Sequence, residues 1–442
     1  MSLLSRREFV KGSAAAALAV TASGAKGYAA NDKVVVGVMG LGGRGTFLAE
    51  RFAKQKDVEM AYLCDVDKRR FGRAKAAIQE IQERAPKTVQ DFRKILEDNS
   101  VNALINATPD HWHALGSILA CQAGKDVYVE KPLAHSLWEG RKMVEAARKY
   151  KRVIQVGTQS RSAPYVREAR EYIKSGKLGD IHLVRVYNMM RHAPQKPGPE
   201  VPVPEGFDYE IWCGPAAKPP YTTGRHWLNL WEYSCGPIAG DAVHQLDLMR
   251  YLMGDPAAPK NVTHTGGICG LKDGRDTPDT QIATYEYDGF TLLFQASLWT
   301  PYMHKIAANI RDGDLFPDWP FCATKVEILG TQGYMTFGRH GGGWQVYDES
   351  TKVVQQAFGR QADNLHIENF LNCVRSRENP ASDVEQGHYS TLICHLANIA
   401  WKVGNVKLAF DPKTETFPES PAANALLRRA RYRDPWIVPD KV

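Results

Sequence analysis

The sequence predicts an α/β protein in two parts. An N-terminal unit of parallel strands alternating with helices precedes a C-terminal α+β unit with a large, mainly antiparallel open sheet. Three observations predict this. Apolar runs alternate with helical stretches as far as residue 156; beyond 157 the runs become short and alternating; and the first run breaks into a glycine turn.

The opening run, residues 34–38, leads into Gly40, Leu41, Gly42, Gly43, Arg44 and Gly45, which fit G-x-G-x-x-G before a helix. In that pattern the first glycine allows the turn, the second admits a pyrophosphate, and the third lets the helix pack on the strand. The helix start offers free N–H groups to phosphates. A second run, residues 58–63, ends at Asp65, twenty positions after Gly45, where a carboxylate accepts from an adenosine ribose. Together these predict a Rossmann NAD(P) site; Asp65 favours NAD, and Arg69 and Arg70 leave NADP open.

Helices follow at about 68–84 and 91–98, then a strand at 101–107 ending in Thr108-Pro109-Asp110-His111-Trp112-His113. A helix at 114–123, a strand at 126–129 ending in Glu130-Lys131-Pro132, a helix at 137–150 and a strand at 153–156 complete the unit. Ligands of such sheets sit beyond the carboxyl ends of the strands, so Thr108, Pro109, Glu130 and Lys131 point toward the crevice. Pro132 biases Lys131 toward extended backbone, so it projects from the strand end. There it orients a substrate hydroxyl or, alternatively, only staples the sheet edge as an ion pair with Glu130. His111 and His113 form an H-x-H pair, but no suitably spaced acid or cysteine completes a metal site, and no metal is expected.

From Gly157 the pattern changes: a loop at 157–161, a helix at 165–175, a strand at 182–187 and a proline-rich arm at 193–220. A helix opened by residues 236–241 carries His244, Asp247, Leu248 and Tyr251 on one face. Alternating runs at 262–268, 281–287, 291–298, 325–329, 334–337 and 344–347 give the antiparallel sheet, and helices at 365–375 and 388–403 close the fold. Arg161, Arg225, His226, Trp227 and Tyr233 are pocket candidates, with surface or core roles equally open.

A chain of 442 residues suits two domains, divided as 31–156 and 157–442. Residues 1–30 read as an address. Ser5-Arg6-Arg7-Glu8-Phe9-Val10-Lys11 is a twin-arginine pattern, followed by a short apolar run and small residues around Ala29. The expectation is export of an already folded protein to the periplasm, with no integral membrane segment. Four basic residues of this leader against Glu8 account for nearly half of the net charge of +7. No basic tract is interleaved with aromatics, so nucleic acid is not an expected partner. Eight cysteines without a C-x-x-C pair imply neither disulfides nor zinc.

The glycine turn, Asp65, Thr108-Pro109 followed by His113, and Glu130-Lys131-Pro132 together resemble the Gfo/Idh/MocA family, in its larger exported branch. The resemblance adds Leu41, Gly43, Arg44 and His113 to the cofactor-binding set. It implies that Lys131 and His244 are catalytic, with Asp241 a third candidate. Relatives commonly carry an acid four residues before the histidine, where this chain has Gly240; Asp241 lies three before it. The implied function is an NAD(P)-dependent oxidoreductase acting on a hydroxyl of a sugar, polyol or glycoside, with the cofactor retained and recycled. One alternative is a glycosidase or lyase working by transient ring oxidation. The other is a non-catalytic sugar-binding protein with a structural nucleotide. A homo-oligomer is expected by analogy.

Overall fold

The structure, a computed structural model, describes residues 33–224 and 226–442; the leader at 1–30 and Arg225 lie outside the described residues. Its first sheet is parallel throughout. Strands β1 (Val34–Met39), β2 (Val58–Cys64), β3 (Lys87–Val89), β4 (Ala103–Asn106), β5 (Asp126–Val129) and β6 (Ile154–Val156) lie in the order β3-β2-β1-β4-β5-β6. The order reverses between β1 and β4, and a crevice opens at that switch point. Strands β4, β5 and β6 are buried along their whole length, which is why they read as continuous apolar runs.

Helices α1 (Gly43–Ala53), α2 (Phe71–Gln79), α3 (His113–Gln122) and α4 (Leu137–Lys149) cover the two faces. Helix α1 begins directly on the glycine turn, and two glycines there have no substitute. Gly40 has φ +92°, and a Cβ on Gly45 would lie 1.8 Å from the Gly40 carbonyl oxygen. Helix α4 is capped by the Ser136 hydroxyl, which accepts from the Glu139 N–H at 3.3 Å.

Helix α5 (Pro164–Lys174) leads to a nine-stranded sheet. Its strands are β7 (Ile181–Met189), β8 (Asn261–Gly267), β9 (Thr280–Glu286), β10 (Thr291–Ser297), β11 (Lys325–Gly330), β12 (Tyr334–Gly338), β13 (Trp344–Tyr347), β14 (Val353–Ala357) and β15 (Lys407–Ala409). The order is β14-β13-β12-β11-β7-β10-β9-β8-β15, antiparallel except where β7 and β10 run parallel. Alternate residues such as Val184, Val186, Leu292, Phe294, Val326 and Ile328 form the inner face. They pack against α6 (Val243–Leu252) and α8 (Val384–Lys402) in one apolar core. Helix α8 also lies against α4 of the first unit.

Packing does not follow the chain boundary at 157. Helix α7 (Asp363–Ser376) returns to the first sheet, where Phe370 meets the rings of Phe52 and Tyr128 at 6.0 and 5.8 Å. The end of the chain does the same: Trp436 packs on Trp112 with ring centroids 5.1 Å apart. Among the described residues no helix is long and apolar enough to cross a membrane. All eight cysteines are unpaired, and Cys269 alone is exposed.

Candidate active site

A cleft of about 770 Å³ opens beyond the carboxyl ends of β1, β2, β4 and β5 and continues to the start of α6. Gly40, Gly42, Gly43 and Arg44 form one edge of it. Leu41 turns its side chain into the core and gives its N–H to Asp65 at 2.6 Å. Asp65 also accepts from Asp67 N–H at 2.9 Å, so this carboxylate first ties the glycine turn to the end of β2. Burial raises its pKa, and the two N–H bonds oppose the rise. Two carboxylate oxygens offer about four acceptor sites, so capacity for a ribose hydroxyl remains. Arg69 is engaged bidentately by Asp67 at 2.7 and 2.8 Å, while Arg70 lies 3.9 Å from Asp65.

At the end of β4, the Thr108 hydroxyl donates to Asn106 Oδ1 at 2.7 Å. His113 stands behind this loop, its ring nitrogens 2.9 Å from the Thr108 carbonyl and 2.6 Å from that of Pro132. It therefore joins the two strand-end loops and does not line the cleft. His111 also faces main-chain carbonyls, those of Trp212 and Tyr233. Among the described residues no group of three or more His, Cys, Asp or Glu is placed to hold a metal.

At the end of β5, Glu130 accepts from Arg44 Nε at 2.7 Å, and Arg44 Nη1 reaches Asp363 of α7 at 2.9 Å. Burial alone would raise the Glu130 pKa; the Arg44 and Lys131 charges prevail and hold it below its ordinary value. Lys131 Nζ donates across the cleft to the Gly240 carbonyl. That carbonyl is available because residues 238–242 form a π-helical turn ahead of α6, an irregularity that re-aims a backbone group at one point.

His244 follows on the first turn of α6. Its ring is buried, its Nδ1 has no hydrogen-bond partner among the described residues, and it meets His340 edge to face at 4.4 Å. Burial, then the charges of Arg339 and Lys131 and the nearby His340, push its pKa well below the ordinary value, so the imidazole is neutral. Asp241 is committed to Arg339 through contacts of 3.0 and 3.1 Å. Burial would raise its pKa, but Arg339 holds it well below the carboxylate range.

Two candidates from the sequence have other roles. Arg161 is buried beneath α6, where its Nε meets Asp247 at 2.8 and 2.9 Å and its Nη1 meets Asp255 at 2.8 Å. It anchors the helix that carries His244 and does not line the cleft. Tyr233 is 1% exposed, donates to the Ala217 carbonyl at 3.1 Å and packs on Trp212 and His111. Trp227 lines the cleft, and His226 is half-buried beside it.

Other lining residues carried no sequence signal. Arg311, His340, Gln361 and Asp363 come from the return between β10 and α7. An aromatic wall comes from the proline-rich arm: Tyr209 stacks on Trp212 at 5.8 Å and meets Tyr221 edge-on at 5.4 Å. The arm is tied to the loop after β2. Asp208 N–H donates to Val66 at 2.8 Å, Lys68 N–H donates to Gly206 at 3.0 Å, and Gln90 Nε2 bonds both carbonyls.

Residues 34–158 match the model of an oxidoreductase family with an NAD-binding Rossmann fold, and residues 170–400 match that family's C-terminal alpha/beta domain. The chain is 26% identical over 348 residues to scyllo-inositol 2-dehydrogenase (NAD(+)) of Bacillus subtilis strain 168, covering 78% of this chain and 86% of that one. A shorter likeness, 35% over 136 residues, covers 29% of this chain and 30% of a glycosyl hydrolase family 109 protein of Stenotrophomonas maltophilia. Among solved structures, levoglucosan dehydrogenase in complex with NADH and levoglucosan superposes with a TM-score of 0.64 at 18% identity, covering 86% of this chain and 99% of that one. With its NAD-binding domain first and its alpha/beta domain second, the chain belongs to the Gfo/Idh/MocA family of oxidoreductases.

Proposed function

We propose that the protein uses NAD to interconvert a hydroxyl and a ketone on a sugar, polyol or glycoside, and keeps the dinucleotide bound between turnovers. The observation that carries this reading is the meeting of Lys131 and neutral His244 in one cleft that starts at the glycine turn. The residues fit a dinucleotide. A Cβ on Gly43 would meet nothing within 4 Å, and the buried Arg44 Nη2 has no hydrogen-bond partner among the described residues. Gly42, Gly43 and Arg44 would hold the diphosphate, Asp65 the ribose, and Thr108, Pro109 and Glu130 the nicotinamide end.

When bound, NAD supplies the hydride acceptor. The Lys131 ammonium, anchored on the Gly240 carbonyl, orients the substrate oxygen and stabilises negative charge on it. Neutral His244 takes the hydroxyl proton in oxidation and returns it in reduction. Asp241 holds Arg339 and, with it, the turn that presents both groups. The arm pinned over the loop after β2 supports retention, because release of a nucleotide past it requires those backbone bonds to open.

The test is to denature the purified protein without added nucleotide and identify what is released. Stoichiometric NAD supports the reading; no nucleotide, and no binding on adding NAD back, overturns it. Lys131→Ala and His244→Ala are expected to lower kcat by about 10²–10⁴-fold with NAD still bound. Unchanged function in both would favour a sugar-binding protein. A second reading, transient oxidation followed by elimination, is favoured by the paired neutral imidazoles of His244 and His340, which supply a base for the hydroxyl and another for the adjacent carbon. Deuterium uptake from solvent at that carbon, with loss of the glycosidic substituent, would distinguish it.

Export through the twin-arginine route, and homo-oligomerisation through the outer face of the nine-stranded sheet, complete the proposal. Arg6→Lys with Arg7→Lys is expected to leave the protein in the cytoplasm. A monomer by light scattering would remove the assembly.

A further inference from the structure

We propose that the cleft holds an anion subsite, built from Arg311 and His340 with the exposed Lys305 on the neighbouring loop, that takes the carboxylate or phosphate of a charged sugar. This rests on the carbohydrate reading above and narrows its substrate class. The carboxylates around His244 are already engaged. Glu130 and Asp363 are both taken by Arg44, and both oxygens of Asp241 are taken by Arg339. Asp110 accepts from Cys235 N–H at 2.9 Å and stands opposite the Lys131 charge. Arg311 is left over. It lines the cleft, is partly exposed, forms no ion pair with any described carboxylate, and its solvent-shielded Nε has no hydrogen-bond partner among the described residues. Lys305, on the loop before the short helix that ends at Arg311, likewise has no ion pair among the described residues.

The neighbouring groups do not neutralise this surplus. His340, on the loop between β12 and β13, is brought close by its neighbour Gly341, on which a Cβ would lie 2.8 Å from Arg311 Cα. His340 is half-buried, and desolvation of its ring and then Arg339 push its pKa well below the ordinary value, so the ring is neutral. An incoming carboxylate or phosphate gives this partly exposed, unpaired guanidinium charge-assisted hydrogen bonds. A neutral sugar hydroxyl does so only in part. Arg44 is a different case, since it is paired with Glu130 and Asp363 and lines the cleft beside the glycine turn, where it suits the dinucleotide diphosphate.

Calorimetry on the NAD-loaded enzyme tests the proposal, with D-glucuronate and glucose 6-phosphate compared against D-glucose. At least one charged ligand is expected to bind about tenfold tighter than glucose. That advantage should shrink in about 0.5 M salt, and the tighter of the two identifies carboxylate or phosphate as the group recognised. Arg311→Gln should remove most of the advantage without weakening glucose, and Arg311→Lys should recover part of it. Equal affinity for charged and neutral ligands overturns the subsite and leaves the carbohydrate reading standing. So does an Arg311→Gln variant that loses NAD as readily as it loses the charged sugar, since the guanidinium would then serve the diphosphate. Binding of none of the three by the loaded enzyme overturns both readings.

Discussion

Arg161 carries its charge in an almost fully buried site, with Asp247 on its Nε and Asp255 on its Nη1. Removing one member of such a group strands the other without solvent. Asp247→Asn is therefore expected to cost about 3–5 kcal/mol of stability, read as a lowered denaturant midpoint, while NAD affinity of the folded fraction stays unchanged. A comparable loss of NAD affinity with no loss of stability would return Arg161 to the pocket. Histidines whose rings are desolvated set a pH dependence. His244, His340 and His135 all have pKa values pushed well below 6.5, by burial first. As pH falls through 6.5, the unfolded chain binds protons that the folded chain refuses, so stability falls toward acid and is fully present above that value. Denaturant midpoints at pH 7.5 and pH 5.5 should show the fall, and His340→Phe should lessen it. The same residues show what could be read without a structure. Asp65, Glu130 and Lys131 were legible because they end strands, and strand ends have a fixed meaning in this topology. Arg161 also follows a strand, but its pairing with a helix 86 positions away leaves no local trace. Arg311 and His340 sit in irregular loops whose position only the completed sheet defines.

The glycine turn and α1 act as a single element. A methyl group on Gly45 would collide with the Gly40 carbonyl, whereas one on Gly43 would meet open space. Gly45→Ala is expected to displace the helix start and weaken NAD binding by more than about tenfold, with Gly43→Ala folding normally as its control. Equal behaviour of the two variants would remove the argument. Long elements with a clear period were legible within a few residues, including the strand pair β9 and β10 and the helices α4 and α8. The strands that escaped notice were β3, β14 and β15. Two are only three residues long, and β14 lies at the sheet edge with Val353 and Val354 exposed, so no alternation marks it. The predicted helix at 68–84 is shorter: a 3₁₀ turn at 68–70, held by Asp67, precedes α2.

The whole molecule is less divisible than its sequence. Residues 157–442 form a different sheet, yet α7 supplies Ile367, Phe370, Leu371 and Val374 to the core of the first one. The nucleotide-binding segment 33–157 made alone is therefore expected to expose that face and to be insoluble or to bind a hydrophobic dye strongly. A soluble segment with native NAD affinity would show that α7 is dispensable. Arg44 makes the same point at the site itself, since its two carboxylate partners come from β5 and from α7, 319 residues further along. The consequence concerns timing during synthesis. A nascent chain that has emerged only as far as β6 already has the glycine turn but lacks Asp363. The nucleotide cradle is thus finished only after α7 has emerged from the ribosome and folded back on the first sheet, so loading has to wait for the second unit.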